Sequence, residues 1–143
     1  MRYLLDTNIC IYLIRRHPPE VLHRLESLYC GEAMMSVVTL AELRAGVEMH
    51  AATRQQNEQA LAGLLEMIPA LPFGNQEAES YGILRAAVRD RQRNALDRLI
   101  AAHALSLNLT LVTNNEQDFL GYPNLRVENW VTQVHESVGT YQT

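Results

Sequence analysis

The 143-residue chain has no lysine; all twelve of its basic side chains are arginine. It has two cysteines, Cys10 and Cys30, too few for a disulfide framework. No apolar run reaches membrane-spanning length. Asp6 and Asn8 interrupt the apolar start before a secretory h-region can form, which points to the cytoplasm and to no membrane partner. There is no internal repeat, low-complexity segment or linker, so one domain is expected. A net charge of −4 argues against a nucleic-acid partner on bulk charge alone. The lack of lysine qualifies that, because arginine is the better bidentate phosphate ligand and stacks on bases. Five arginines fall in one stretch: Arg85, Arg89, Arg91, Arg93 and Arg98.

What is present is a normal globular balance, 48% hydrophobic and 20% charged. Tyr3–Leu5 reads as a short buried strand running into an Asp-Thr-Asn helix cap. Helical segments are expected over Ile9–Ile14, Val21–Tyr29, Leu40–His50, Gln55–Ile68, Gln76–Arg91 and Leu96–Leu107. Strands are expected over Ala33–Val38, Pro69–Phe73, Thr110–Val112 and Leu125–Val127. This alternation implies an α/β fold, a parallel sheet covered on both faces. In such sheets ligands bind beyond the carboxyl ends of the strands. Asp6 and Thr113–Asn115 each follow a strand, and Glu42 is expected in the first turn of the helix after another.

Aspartate is scarce: Asp6, Asp90, Asp97 and Asp118 are all there is. Asp6 ends a hydrophobic strand, Asp97 opens an apolar alanine-rich helix, and Glu42 is flanked by Val37, Val38, Leu40, Ala41 and Leu43. Acids beside such surfaces are costly unless paired or bound to a cation. Converging carboxylates repel, and a hard divalent ion relieves the repulsion. An acidic set without Cys or His partners points to Mg²⁺, with Mn²⁺ as a substitute, rather than zinc. Each residue also has a plain structural reading. Asp6 serves equally as a helix cap, Glu42 and Asp97 as charges near helix N-termini, Asp118 as a solvated turn residue. His103 reads as a satisfied core histidine, Cys10 as a buried small hydrophobe.

Five segments together resemble the PIN-domain family, specifically the VapC-type toxins of bacterial VapBC toxin–antitoxin pairs. They are Tyr3-Leu-Leu-Asp-Thr-Asn-Ile9, Ser36-Val-Val-Thr-Leu-Ala-Glu-Leu-Arg-Ala-Gly46, Leu96-Asp-Arg-Leu-Ile-Ala-Ala-His-Ala-Leu105, Leu111-Val-Thr-Asn-Asn-Glu-Gln-Asp-Phe119 and Leu125-Arg-Val-Glu-Asn-Trp130. The resemblance implies a PIN-like α/β/α sandwich with a short central parallel β-sheet over residues 1–132, followed by a polar, flexible tail over 133–143. It implies a Mg²⁺-dependent endoribonuclease that cuts RNA, as a tRNA and in this subgroup an initiator tRNA, and so inhibits translation. The metal acids carried over are Asp6, Glu42 and Asp97.

Where many PIN domains have a fourth aspartate this chain has Asn115, and Asp118, one turn further on, is the substitute catalytic acid. Arg93-Asn94 stands where relatives often have Ile-Gly. Thr7, Asn8, Thr113 and Asn115 are expected to orient the acids, and Arg85, Arg89, Arg93 and Arg98 to grip RNA. The implied partners are a VapB-type antitoxin laid over the acidic cleft, a second copy of the chain in a homodimer, and operator DNA through the antitoxin only. Ile11, Ile14, Leu22 and Leu25 are either interface or core. Two other classes stay open on the residues alone: a phosphohydrolase of small molecules or DNA, and an inactive binding module of the same fold.

Overall fold

The computed structural model describes residues 1–88 and 94–132. The described chain runs β1 (Tyr3–Leu5), α1 (Thr7–Arg15), α2 (Pro19–Glu26), β2 (Ala33–Ser36), α3 (Val37–Met49), α4 (Arg54–Met67), β3 (Ala70–Leu71), α5 (Asn75–Ala87), α6 (Ala95–Ser106), β4 (Thr110–Val112) and β5 (Val127–Glu128). Single 3₁₀ turns lie at Ala51–Thr53 and Glu116–Phe119. The strands form one parallel sheet in the order β3-β2-β1-β4-β5.

β1 is the central strand, and all three of its residues are buried. Because side chains alternate across a strand, Tyr3 and Leu5 join one core while Leu4 joins another. The first core lies under α1, α2, α3 and α4, with Ile9, Leu13, Val21, Leu43, Leu61 and Leu64. The second lies under α5 and α6, with Leu84, Ile100, Ala101 and Ala104 against Leu4 and Leu111. The molecule is thus the expected α/β/α sandwich, and the unbroken apolar β1 is what a strand covered on both faces requires. Ile11 is buried and Ile14, Leu22 and Leu25 are half-buried, all packed on the first core. Arg24 anchors α2 to the sheet. Its Nη2 donates to the Tyr3 hydroxyl at 2.9 Å and to Glu128 at 3.0 Å, and its guanidinium stacks over Trp130.

Several boundaries differ from the sequence expectation: the second helix runs Pro19–Glu26 rather than Val21–Tyr29, and the third strand is only Ala70–Leu71 within the expected Pro69–Phe73. The second strand ends at Ser36 rather than Val38, because the Ser36 hydroxyl accepts the Val38 N–H at 3.0 Å and starts α3 at Val37, three residues before the expected Leu40. Glu42 therefore sits in the second turn of α3, not the first. The last strand is Val127–Glu128, shifted from Leu125–Val127, its register set by pairing with Leu111 and Val112. The fifth helix closes at Ala87 with Val88 as its cap; residues 89–91 of the expected Gln76–Arg91 lie outside the described residues, as does the 133–143 tail.

The topology positions the site. From β1 the chain builds outward through β2 and β3 on one side, then returns to place β4 and β5 on the other. Strand order therefore reverses at β1, and a crevice opens there beyond the carboxyl ends. Leu5 pairs with Val112, so the next residues, Asp6 and Thr113, emerge side by side into that crevice.

Candidate active site

Asp6 is the residue on which the crevice converges. Its backbone N–H continues the sheet by donating to Val112 at 3.0 Å, and its extended φ and ψ end the strand. Its carboxylate then accepts the Ile9 N–H at 3.0 Å and caps α1. The side chain is buried, 6% exposed. Burial, with the charges of Asp97 and Glu42 adding to it, raises its pKa to about 6, against hydrogen bonds from the Thr113 hydroxyl and the Ile9 amide. The structure thus brings three carboxylates from β1, α3 and α6 into one electrostatic neighbourhood.

Glu42 is half-buried, and its Oε1 accepts the Thr7 hydroxyl proton at 2.6 Å. Thr7 Oγ1 also lies 3.4 Å from Thr39 Oγ1. Thr39 is fully buried and sits three residues before Glu42 on the same helix face. The sequence reading missed it; the only signal was a threonine at helical spacing from an acid. Asp97 is half-buried in the first turn of α6, whose N-cap Asn94 accepts the Leu96 N–H at 2.8 Å.

Thr113 is fully buried. It gives its proton to Asp6 and accepts the Asn115 N–H at 3.0 Å, so the strand exit is braced against the carboxylate. Asn8 is half-buried in the first turn of α1. Asn115 and Asp118 are exposed at the 3₁₀ turn, where the Asp118 N–H bonds the Asn115 carbonyl at 3.0 Å. The charges that act on Asp6 are those of Asp97 and Glu42; Asp118 is exposed and is not among them. Of the arginines, Arg85 is exposed on α5 and Arg98 half-buried on α6, one residue after Asp97. Arg89 and Arg93 lie outside the described residues.

The donor set suits a hard cation: carboxylate and hydroxyl oxygens, with the Cys10 thiol buried behind Asp6 and held protonated by burial and by the Asp6 charge. Among the described residues no three acidic, His or Cys side chains close into a finished ligand cage as they stand. Glu42 is instead held by Thr7. A groove of about 510 Å³ is lined by residues of α1, α3 and α4, with Thr7 and Glu42 among them beside Ile11, Ile14, Leu43 and Leu61.

Comparison with known proteins gives three kinds of likeness. The family model described as "PIN domain" matches residues 3–123. The chain is 38% identical over 135 residues to Ribonuclease VapC2 of Rickettsia felis, covering 91% of this chain and 98% of that one. It is 36% identical over 132 residues to the tRNA(fMet)-specific endonuclease VapC of Shigella flexneri, covering 91% and 98%. Among solved structures it resembles a chain of VapBC2 from Rickettsia felis bound to a DNA fragment from their promoter. There the TM-score is 0.82 and the identity 37%, covering 91% of this chain and 99% of that one. Among the described residues no helix is long and apolar enough to cross a membrane.

Proposed function

The chain belongs to the PIN-domain family, among the VapC ribonucleases, and from that premise we propose that it is the toxin of a VapBC pair, a Mg²⁺-dependent endoribonuclease acting in the cytoplasm. Nucleases of this family are metal-dependent. The observation that carries the reading is the Asp6 carboxylate, buried and raised to about 6 beside the charges of Glu42 and Asp97. A structural cap needs neither neighbour; a cation site needs all three.

Asp6, Glu42 and Asp97 would hold the ion. Such an ion, when bound, would supply a water of lowered pKa and positive charge against the phosphate. The chain's own residues do the rest. Asp6 is locked in place by the Ile9 amide and the Thr113 hydroxyl, and Glu42 by the Thr7 hydroxyl. Asp118, exposed on the 3₁₀ turn that follows Asn115, would serve as the further catalytic acid. Asn8 joins Thr7 in orienting the carboxylates. Arg98 and Arg85, with Arg89 and Arg93, take the RNA backbone.

The relatives' names support a tRNA substrate, with initiator tRNA the specific choice, and inhibition of translation as the consequence. The solved VapBC complexes, some of them bound to DNA, support a VapB-type antitoxin as partner; contact with operator DNA through that antitoxin and pairing of the toxin as a homodimer are what membership in the family implies. The groove that Glu42 helps to line would take an antitoxin segment whose basic side chain reaches the acids.

The decisive experiment is cleavage of labelled initiator tRNA across a Mg²⁺ titration by wild type, Asp6→Ala and Asp97→Asn. Both variants are expected to lose cleavage while staying folded. Normal cleavage by either one refutes the assignment.

A further inference from the structure

Two fully buried polar side chains take no part in the site as described. His103 lies six residues after Asp97 on α6, and Ser36 six residues before Glu42 at the start of α3. Their Nδ1 and Oγ are 2.8 Å apart. The same Oγ accepts the Val38 N–H that begins α3. A serine oxygen has one proton to give. Among the described residues its only acceptor is His103 Nδ1. Nδ1 therefore accepts, and the ring carries its own proton on Nε2, a tautomer assigned from this network. Burial holds the imidazole below its ordinary pKa, against the opposing pull of the Glu77 charge and the Pro72 carbonyl, so the ring is neutral near pH 7.

Packing does not account for a histidine here. Nε2 is as buried as Nδ1 and makes no hydrogen bond of good geometry among the described residues. The ring stands edge to face against Phe73 at 5.4 Å, and its chain neighbours Ala102 and Ala104 are both fully buried. An apolar residue would avoid the cost of a half-satisfied ring. What an apolar residue lacks is the pull of the Pro72 carbonyl and, at good geometry, the bond to Ser36. That bond ties the cap of the helix bearing Glu42 to the body of the helix bearing Asp97.

We propose that His103 is a positioning residue which, through Ser36, fixes how far apart Glu42 and Asp97 are held. The inference rests on the metal-site reading above and goes beyond it by assigning a residue that touches neither cation nor RNA. Residues that orient ligands in this way typically change metal affinity by about 10–100-fold when lost.

The test is Mn²⁺ binding to the full-length protein without RNA, by electron paramagnetic resonance, alongside metal-free melting and RNA cleavage. His103→Leu keeps apolar bulk but removes the acceptor; His103→Asn offers a carbonyl oxygen near the Nδ1 position; Ser36→Ala removes the donor. The expected result is binding weakened on the order of tenfold or more in H103L and in S36A. The double variant should be no weaker than the weaker single, because both lose one bond. H103N should stay nearer to wild type than H103L does. Wild-type Mn²⁺ affinity in H103L or S36A, or losses that multiply in the double, overturns the proposal. Lowered melting in H103L with unchanged Mn²⁺ affinity overturns it too, leaving a packing role. If H103L does not fold, S36A decides alone by the same criterion. A wild type that neither binds Mn²⁺ nor cuts RNA defeats the ribonuclease reading itself, and this inference with it.

Discussion

Asp6→Asn should make the metal-free protein more stable at neutral pH while destroying its activity. In the unfolded chain an aspartate titrates near 3.8; in the fold this one titrates at about 6. Between those values the folded state keeps a proton that the unfolded state releases, so stability falls as pH rises from about 4 to about 6 and is level above. At 1.36 kcal/mol per pKa unit, the full penalty above pH 6 is about 3 kcal/mol. The residue is buried, so solvent screening does not erode the figure. Asparagine caps a helix as well as aspartate does, so the Ile9 bond survives the substitution. Part of the gain is spent on burying the new amide, which leaves about 2 kcal/mol, or roughly 4–8 °C in a domain of this size.

The assay is thermal or urea unfolding of both proteins in excess chelator at pH 4.0 and pH 7.5. D6N should be more stable at pH 7.5 and lose that advantage at pH 4.0, where the wild-type carboxyl is largely protonated and the cost of the buried amide remains. Added Mg²⁺ should then stabilise wild type by an amount that grows with the logarithm of its concentration above the dissociation constant and leave D6N nearly unmoved. A D6N protein no more stable than wild type at pH 7.5, or one whose advantage persists unchanged at pH 4.0, would show that Asp6 is a plain cap with no buried charge to relieve.

Thr7→Val should raise the Mg²⁺ concentration needed for half-maximal cleavage by about 10–100-fold, because it frees Glu42 from its 2.6 Å hydroxyl partner; a metal titration at fixed RNA checks this. Arg98→Ala should weaken RNA binding and lower the slope of log affinity against log salt by about one, with a smaller change for Arg85→Ala, which is farther along the chain from the acids; binding measured from 50 to 200 mM salt separates the two.

How much of this was legible in the sequence follows from which signals are local. β1, β4 and the alternation of strand and helix were readable because a strand buried on both faces has to be apolar throughout, and Tyr3–Leu5 and Leu111–Val112 are. Asp6 stood out because a charge directly after such a strand needs a reason. The end of β2 was misplaced because Val37 and Val38 favour strand locally, while a single hydroxyl bond from Ser36 commits them to helix. That moved Glu42 by a turn without removing it from the crevice. Thr39, Ser36 and His103 were missed, or read as ordinary core, because their partners lie on distant elements. Short polar side chains carry no periodic pattern, and only the assembled fold shows which acceptor each proton meets.

The cap and the cation ligand, which compete as readings of Asp6 in the sequence, turn out to be one structural device. A carboxylate pointed freely into a crevice would relax toward water and shed the influence of Glu42 and Asp97. The α1 amide and the Thr113 hydroxyl prevent that by holding Asp6 where it is poorly solvated and close to like charge. The two hydrogen bonds lower its pKa, yet burial outweighs them and the group still rises to about 6. The protein therefore accepts a destabilised acid at the centre of its sheet, a cost that a cation removes and a proton removes only below the working pH. It follows that affinity for metal, sensitivity to acid and the stability gained by D6N have a common origin and must change together. A variant that relaxes Asp6 toward solvent should lose all three at once.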